Sequence, residues 1–212
     1  MRRLPLYLLI DTSGSMRGEP IAALQNGIDV LLAMLRADPY ALESVWLSVI
    51  TFDRDVCQIL PLTPIDAVKM PVIATPDSGP THTGAALDFL LTTLDRDLQK
   101  TTPNTKGDWQ PLLLLFTDGN PSDLQRYRAA IPAIQQYGFA NIIACAAGAK
   151  ANSTLLLELT PNVVSLDIAD SSTFKPFFKW VSANVATNSQ SIGAAHTNII
   201  LAPPPPEVHI VI

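Results

Sequence analysis

Two cysteines in 212 residues, Cys57 and Cys145, leave no disulfide framework and no Cys/His zinc motif to organise the chain. None is needed, because a chain of this length buries roughly 70% of the surface its unfolded state exposes. Basic residues are sparse: 14 Lys and Arg stand against 19 Asp and Glu, for a formal charge of -5, and no basic run exceeds Arg2-Arg3. The electrostatic footprint of a nucleic-acid-binding protein is therefore missing. No apolar stretch approaches the roughly 20 residues that span a bilayer, which argues against a membrane protein. The run at residues 4–10 follows two arginines, but it contains Pro5 and stops at Asp11 without a small-residue cleavage site. It reads as a buried strand and not as a signal peptide, so a cytoplasmic protein with reduced thiols is expected. Histidine is scarce too: His82, His196 and His209 are the whole set, and with no G-x-S-x-G elbow this argues against a serine hydrolase.

What is present is one soluble globular domain's worth of residues, 48% hydrophobic and 16% charged. Short apolar runs at residues 4–10, 45–52, 112–117 and 142–147, with a weaker one at 163–166, alternate with stretches of helical period. Runs that are apolar nearly throughout suit parallel strands covered on both faces. Four helical stripes supply the cover: Leu24, Ile28, Leu31, Leu32 and Leu35; Leu87, Leu90, Leu91, Leu94 and Leu98; Leu124, Tyr127, Ile131 and Ile134; and Phe174, Phe177, Phe178, Val181 and Val185. The expected fold class is α/β, a Rossmann-like three-layer αβα arrangement around a mostly parallel sheet. One connection is too short for a crossover, so residues 45–52 and 56–60 should form a hairpin with one antiparallel edge strand, ended by Pro61 and Pro64. The domain is expected to occupy residues 1–187. Residues 188–212, with four prolines at 203–206, read as a tail, either mobile or holding a last strand against a sheet edge or serving as a partner's ligand. Cys57 and Cys145 fall in strands, where small buried hydrophobe is the default role.

Oxygen-bearing side chains gather at the ends of these strands. The first run ends in Asp11-Thr12-Ser13-Gly14-Ser15, where an open α/β sheet forms its ligand crevice, and Gly14 lets both serine hydroxyls turn inward beside Asp11. The run at 112–117 ends in Asp118-Gly119, which brings a second carboxylate to the same edge. A third loop, residues 78–84, enters a helix and carries Thr81. Taken singly, each loop is as well explained by a helix cap or a turn. Together, two carboxylates and three hydroxyls make an oxygen-only set suited to a hard dication, Mg²⁺ first and Mn²⁺ or Ca²⁺ as alternatives. Because Mg²⁺ seldom fills its octahedron from protein, one position stays open for an outside oxygen, most naturally a carboxylate of a partner protein.

D-x-S-G-S after a first apolar strand, a glycine-threonine loop opening a helix, and L-L-F-T-D-G ending a later strand resemble the metal-ion-dependent adhesion site (MIDAS) of von Willebrand factor A domains. The resemblance implies that Asp11, Ser13, Ser15, Thr81 and Asp118 are the metal-site residues. It runs from Leu4 to about Val185, and departs from many members in reading Gly79-Pro80-Thr81 where they have two glycines. Within that family, Met1-Arg2-Arg3-Leu4-Pro5, residues 36–43, Lys106-Gly107-Asp108-Trp109-Gln110-Pro111 and the proline-rich end are similar to the TerY proteins of bacterial tellurium-resistance and stress-response gene clusters. That similarity implies a cytoplasmic, non-enzymatic module acting with other ter-cluster products, in some cases beside a kinase and a phosphatase.

Two further residues are candidates for partner contact. His82 neighbours Thr81 at the rim, although a lone loop histidine is more often simply solvated. Trp109 precedes its strand and should lie at the sheet edge opposite the crevice, as a second contact surface or as an aromatic packed under its loop with Asp108 capping a turn. Asp123, at a helix start, is explained by the helix dipole alone. An aspartyl phosphatase of the haloacid dehalogenase type also begins with Asp after its first strand. It needs a second Asp two residues on as the acid, and here that position is Ser13.

Overall fold

Every residue of the first strand, β1 (Leu4–Asp11), is buried, as a strand sandwiched between two helical layers must be. The computed structural model describes residues 2–76, 79–147, 153–166, 170–191, 203, 205 and 209–210. After β1 come α1 (Glu19–Ala37), α2 (Pro39–Ser44), β2 (Val45–Phe52), β3 (Val56–Pro64), α3 (Thr83–Asp97) and β4 (Leu112–Thr117). They are followed by α4 (Leu124–Tyr137), β5 (Asn141–Ala147), α5 (Ser153–Leu159), β6 (Val163–Leu166), α6 (Ser171–Ser191) and β7 (His209–Ile210). The strands make one sheet in the order β3-β2-β1-β4-β5-β6-β7. β1 pairs in parallel with both β2 and β4, and β4-β5-β6 continue in parallel.

Alternation along β1 feeds two cores. Leu6, Leu8 and Ile10 point to one face with the buried residues of α1 and α6, while Tyr7 and Leu9 point to the other with those of α3 and α4. On the first face Phe116 of β4 packs against Phe174, Phe177 and Phe178 of α6, with ring centroids 5.3 to 6.4 Å away. This close seating needs Gly27 in α1, where a Cβ would fall 2.4 Å from a ring carbon of Phe178. The break between α1 and α2 is written locally: the Asp38 carboxylate accepts from the Ala41 backbone N–H at 2.8 Å and Pro39 occupies the first helical position.

The edges differ from the sequence reading. β3 does not stop at Pro61 but runs to Pro64, which pairs with Trp46. The register slips between Leu47 and Val49, and this irregularity accommodates Pro61 and Leu62 opposite Ser48, as bulges allow on an edge strand. Cys57 is exposed on this edge and not buried, because only part of an edge strand is covered, whereas Cys145 in β5 is buried. A second antiparallel edge exists as well: His209 and Ile210 of β7 pair with Ser165 and Val164 of β6. The rest of the expected tail from residue 192 onward lies outside the described residues, except Pro203 and Pro205, and α6 runs through residue 188.

At the end of the sheet where β1 and β4 begin, the two N-terminal arginines form a clamp. The Arg3 guanidinium binds both carboxylate oxygens of Asp108, with Nε donating to Oδ1 at 2.7 Å, and the Asp108 side chain is only 4% exposed. Asp108 also accepts from the Gln99 backbone N–H at 2.8 Å. Arg2 donates to the Gly107 and Asp108 carbonyls and stacks 3.5 Å from the Trp109 ring centroid. Asp108 is thus an ion-pair partner and not a turn cap. Removing it strands a half-buried guanidinium, so Asp108→Ala should lose about 3 kcal/mol in urea titration. Tyr7 gives the opposite expectation. Its hydroxyl is buried with no hydrogen-bond partner among the described residues, so Tyr7→Phe should leave stability unchanged or raise it by about 1 kcal/mol. A loss larger than that would show that the hydroxyl is satisfied by internal water.

Candidate metal centre

Strands β1 and β4 lie side by side, yet α1 covers one face of the sheet and α4 the other. The loops after them therefore part, opening a crevice where the strand order reverses. Asp11 closes β1 and Asp118 follows the last residue of β4, so both carboxylates reach this crevice by backbone topology alone.

The Asp11 carboxylate is held from two sides: the Ser13 backbone N–H donates to Oδ1 at 2.8 Å and the Thr117 hydroxyl donates to Oδ2 at 2.7 Å. A tight turn at Gly14–Met16 brings the Ser13 and Ser15 hydroxyl oxygens to 3.3 Å from each other, and Ser15 donates to Asp118 Oδ1 at 2.8 Å. Thr81 is buried beside them, its hydroxyl oxygen 3.3 Å from where a Cβ on Gly119 would lie. Its backbone is stitched to the Asp118 loop, with Thr81 N–H donating to the Ser122 hydroxyl at 3.1 Å and Ser122 N–H to the Thr81 carbonyl at 2.8 Å. All five oxygen-bearing residues singled out in the sequence thus converge on one crevice.

The rim is formed by the β2-β3 turn. The Asp53 carbonyl accepts from the His82 backbone N–H at 3.0 Å, and His82 Nδ1 lies 3.0 Å from the Arg54 carbonyl. A carbonyl only accepts, so Nδ1 carries the proton and the ring is oriented by that bond. Thr12 ties the same turn down through the Phe52 carbonyl and Asp53 Oδ2, both at 3.2 Å. Trp109 is partly buried at the opposite end of the sheet, far from these groups. Asp123 does more than complement its own helix dipole: its carboxylate caps α3, accepting from the backbone N–H groups of Gly84 at 3.0 Å and Ala85 at 2.8 Å. Thr117 was missed by the ligand reasoning. Its signal was a single hydroxyl closing the otherwise apolar strand Leu112–Thr117.

Burial dominates the electrostatics, pushing the Asp11 pKa up to about 6. The hydrogen bonds from Thr117 and Ser13 pull it back, and the nearby charge of Asp118 raises it again. No cationic side chain pairs with Asp11 among the described residues, so a dication is the counter-charge that would favour its ionised form. Among those residues no group of three or more His, Cys, Asp and Glu side chains is placed to hold a metal ion. A metal here would rest on two carboxylates and three hydroxyls, and that donor set fits Mg²⁺ and similar hard cations.

Residues 6–179 match the family model described as the von Willebrand factor type A domain. The chain is a member of that family. Solved structures similar to it include proximal thread matrix protein 1 from the mussel byssus, 17% identical with a TM-score of 0.65 over 85% of this chain and 47% of that one. The pilus adhesin SpaC from Lactobacillus rhamnosus GG is 13% identical with a TM-score of 0.70, over 89% of this chain and 31% of that one. BatB from Bacteroides thetaiotaomicron, a conserved hypothetical protein, is 14% identical with a TM-score of 0.56, over 87% of this chain and 99% of that one. The chain spans about half the length of the byssus protein it matches. At these identities the likeness establishes the fold. One further structure of the byssus protein, 16% identical with a TM-score of 0.53 over 87% of this chain and 46% of that one, has a zinc-occupied MIDAS motif. A comparison with curated protein sequences finds no match. Domains of this family generally mediate protein–protein interactions, often through a MIDAS-bound cation, and are mostly non-enzymatic. Among the described residues of this domain no helix is long and apolar enough to cross a membrane.

The raised Asp11 pKa fixes the sign of a stability effect in metal-free protein. Below the unfolded value of 3.8 both states are protonated; between 3.8 and about 6 the unfolded chain ionises first; above about 6 the full penalty, on the order of 2–3 kcal/mol, is present. Asp11→Asn removes that charge, and Thr117 can accept from the new amide while its hydroxyl turns to the Gly119 carbonyl 3.3 Å away. In EDTA at pH 8 the variant should therefore melt higher than wild type, by several degrees in differential scanning calorimetry, and lose any stabilisation by Mg²⁺. A lower melting point in EDTA would contradict this electrostatic account.

Proposed function

We propose that this domain is a metal-dependent protein-interaction module. Asp11, Ser13, Ser15, Thr81 and Asp118 would hold Mg²⁺, with Mn²⁺ or Ca²⁺ as alternatives. The observation that carries this reading is the unbroken chain of polar contacts from Thr117 through Asp11, Ser13 and Ser15 to Asp118, at the point where the sheet opens. When bound, the cation supplies a Lewis-acidic, positively charged position to which a carboxylate of a partner protein can bind.

The domain's own residues do the positioning. Thr117 and the Ser13 N–H fix the rotamer of Asp11, the Ser15 hydroxyl orients Asp118, and the Ser122 contacts hold the Thr81 loop against the Asp118 loop. His82 stands at the rim with its ring tethered to Arg54, placed to meet a partner's polar groups beside the metal. The segments similar to TerY proteins support a role in a bacterial tellurium-resistance or stress-response system in the cytoplasm, with other ter-cluster proteins, including a kinase and a phosphatase, as partners. A phosphatase reading gains nothing from the geometry: the place of the required second acid is held by Ser13, whose hydroxyl faces Ser15.

Calorimetric titration of Mg²⁺ into metal-stripped protein tests the proposal. Saturable one-site binding is expected for wild type, with loss of at least a hundredfold in affinity for Asp118→Ala and about tenfold or more for Thr117→Val, which only orients Asp11. Partner capture should then be abolished by EDTA and by Asp118→Ala. Capture that survives both would replace this mechanism with a metal-independent scaffold acting through the tail or the Trp109 surface.

A further inference from the structure

The pole opposite the crevice carries a second concave surface. Where α3 ends and β4 begins, Leu98, Gln99, Trp109, Gln110, Pro111 and Tyr137 line an open groove of about 430 Å³. Of the charged groups in its lining, Asp108 is paired with Arg3, and the exposed Asp95 and Lys100 stand 3.7 Å from each other. Between these charges, Trp109 and Tyr137 supply aromatic rings and Gln99 and Gln110 supply amide groups. The Trp109 backbone N–H donates to the Arg3 carbonyl at 2.9 Å, fixing the chain there, and the Arg2 guanidinium stacks on the indole ring in the wall.

Such a groove complements a polyproline segment. Consecutive prolines present apolar rings and carbonyl acceptors, have no N–H of their own to satisfy, and are already extended before binding. This chain contains one such ligand, the four prolines at residues 203–206. Of the run, Pro203 is exposed and Pro205 half-buried. The run cannot reach its own groove. β7 pairs antiparallel to β6, with His209 opposite Ser165 and Ile210 opposite Val164, so the chain enters β7 from the crevice end of the sheet. Pro206 is three residue steps from His209 and Pro203 six, a reach of at most about 20 Å, too short to turn back to the far pole and also cross from β7 to the groove beside β4.

We propose that the groove binds the proline run of a second copy of this chain, joining copies head to tail, crevice pole to groove pole. The contact is heterologous and leaves a free groove and a free proline run at the ends, so association grows with concentration instead of stopping at a symmetric dimer. It does not involve the metal crevice.

Sedimentation velocity of the full chain across a concentration series, in EDTA to silence the crevice, reads this directly. Self-association is expected, weakened about tenfold or more by Gln110→Arg, an exposed groove position, and equally by the tail substitution Pro203→Glu. A synthetic peptide of residues 201–208 should compete and should shift the tryptophan emission of wild type but not of Trp109→Phe. Circular dichroism melting shows whether each variant is folded; Gln110→Arg and Pro203→Glu alter surface positions and serve if Trp109→Phe is not. A chain that stays monomeric at the highest soluble concentration overturns the proposal. So does association that ignores both substitutions and the peptide. Peptide binding at Trp109 without self-association would also overturn it, transferring the groove to the proline-rich segment of another protein.

Discussion

The crevice depends on one unfavourable act: an ionisable carboxylate is placed at the end of a strand that is buried along its whole length. Asp11 follows seven residues of β1 that are nearly sealed from solvent, and burial is the largest force on its protonation. Nothing in the hydrophobic logic of the sheet requires an acid there. The surrounding structure compensates in part, with two donors aimed at its two oxygens, and leaves the balance to be met by something positively charged from outside. A cation bound at the crevice would link metal binding to folding through that residue, because its charge would offset the cost of ionising Asp11.

Much of this was legible in the sequence because it is local. Apolar runs of four to eight residues marked the parallel strands, and the helical stripes marked the faces that cover them; Leu24, Ile28, Leu31 and Leu35 are all buried where the 3.6-residue period put them. The loops that carry the candidate ligands were visible for the same reason, each being a short motif at a strand end. What could not be read was whatever depends on partners far apart in the chain. Asp123 looked like an ordinary helix-start acid, yet its carboxylate caps a helix whose N-terminus lies 39 residues earlier. Asp108 looked like a turn residue, yet its partner Arg3 is 105 residues away. Cys57 was misjudged because strand identity predicts burial only in the middle of a sheet, and β3 lies at the edge.

The same distinction separates the candidate ligands from the groups that orient them. Asp11, Ser13 and Ser15 are spaced along a single turn, so their convergence follows from the turn itself. Thr117 acts on Asp11 only because β1 and β4 are neighbours in register, with Ile10 opposite Phe116. A hydroxyl at the end of an apolar strand carries no signal of its target until that register is known. The supporting contacts are therefore a property of the topology, and a sequence that kept the five ligand positions but shifted the β1-β4 register by one residue would lose the Thr117 contact and turn Asp11 to the other face of the sheet.

The clamp at the other pole makes that register hard to shift. Arg3 begins one residue before β1, and Asp108 and Trp109 lie just before β4; the Arg3–Asp108 pair and the Trp109 N–H to Arg3 carbonyl bond tie the two strands together at their starts. Gly107 permits the approach, since a Cβ there would fall 2.4 Å from the Gln99 carbonyl oxygen. A parallel pair has no hairpin turn to fix its alignment, so alignment must come from side chains or from the loops at its ends. With the starts of β1 and β4 pinned and five residue pairs in register above them, Asp11 and Asp118 have nowhere to be except across the crevice from each other. The residues most distant from the candidate metal centre thus set its geometry, which is why an arginine at position 3 and an aspartate at position 108 belong to the account of what this domain binds.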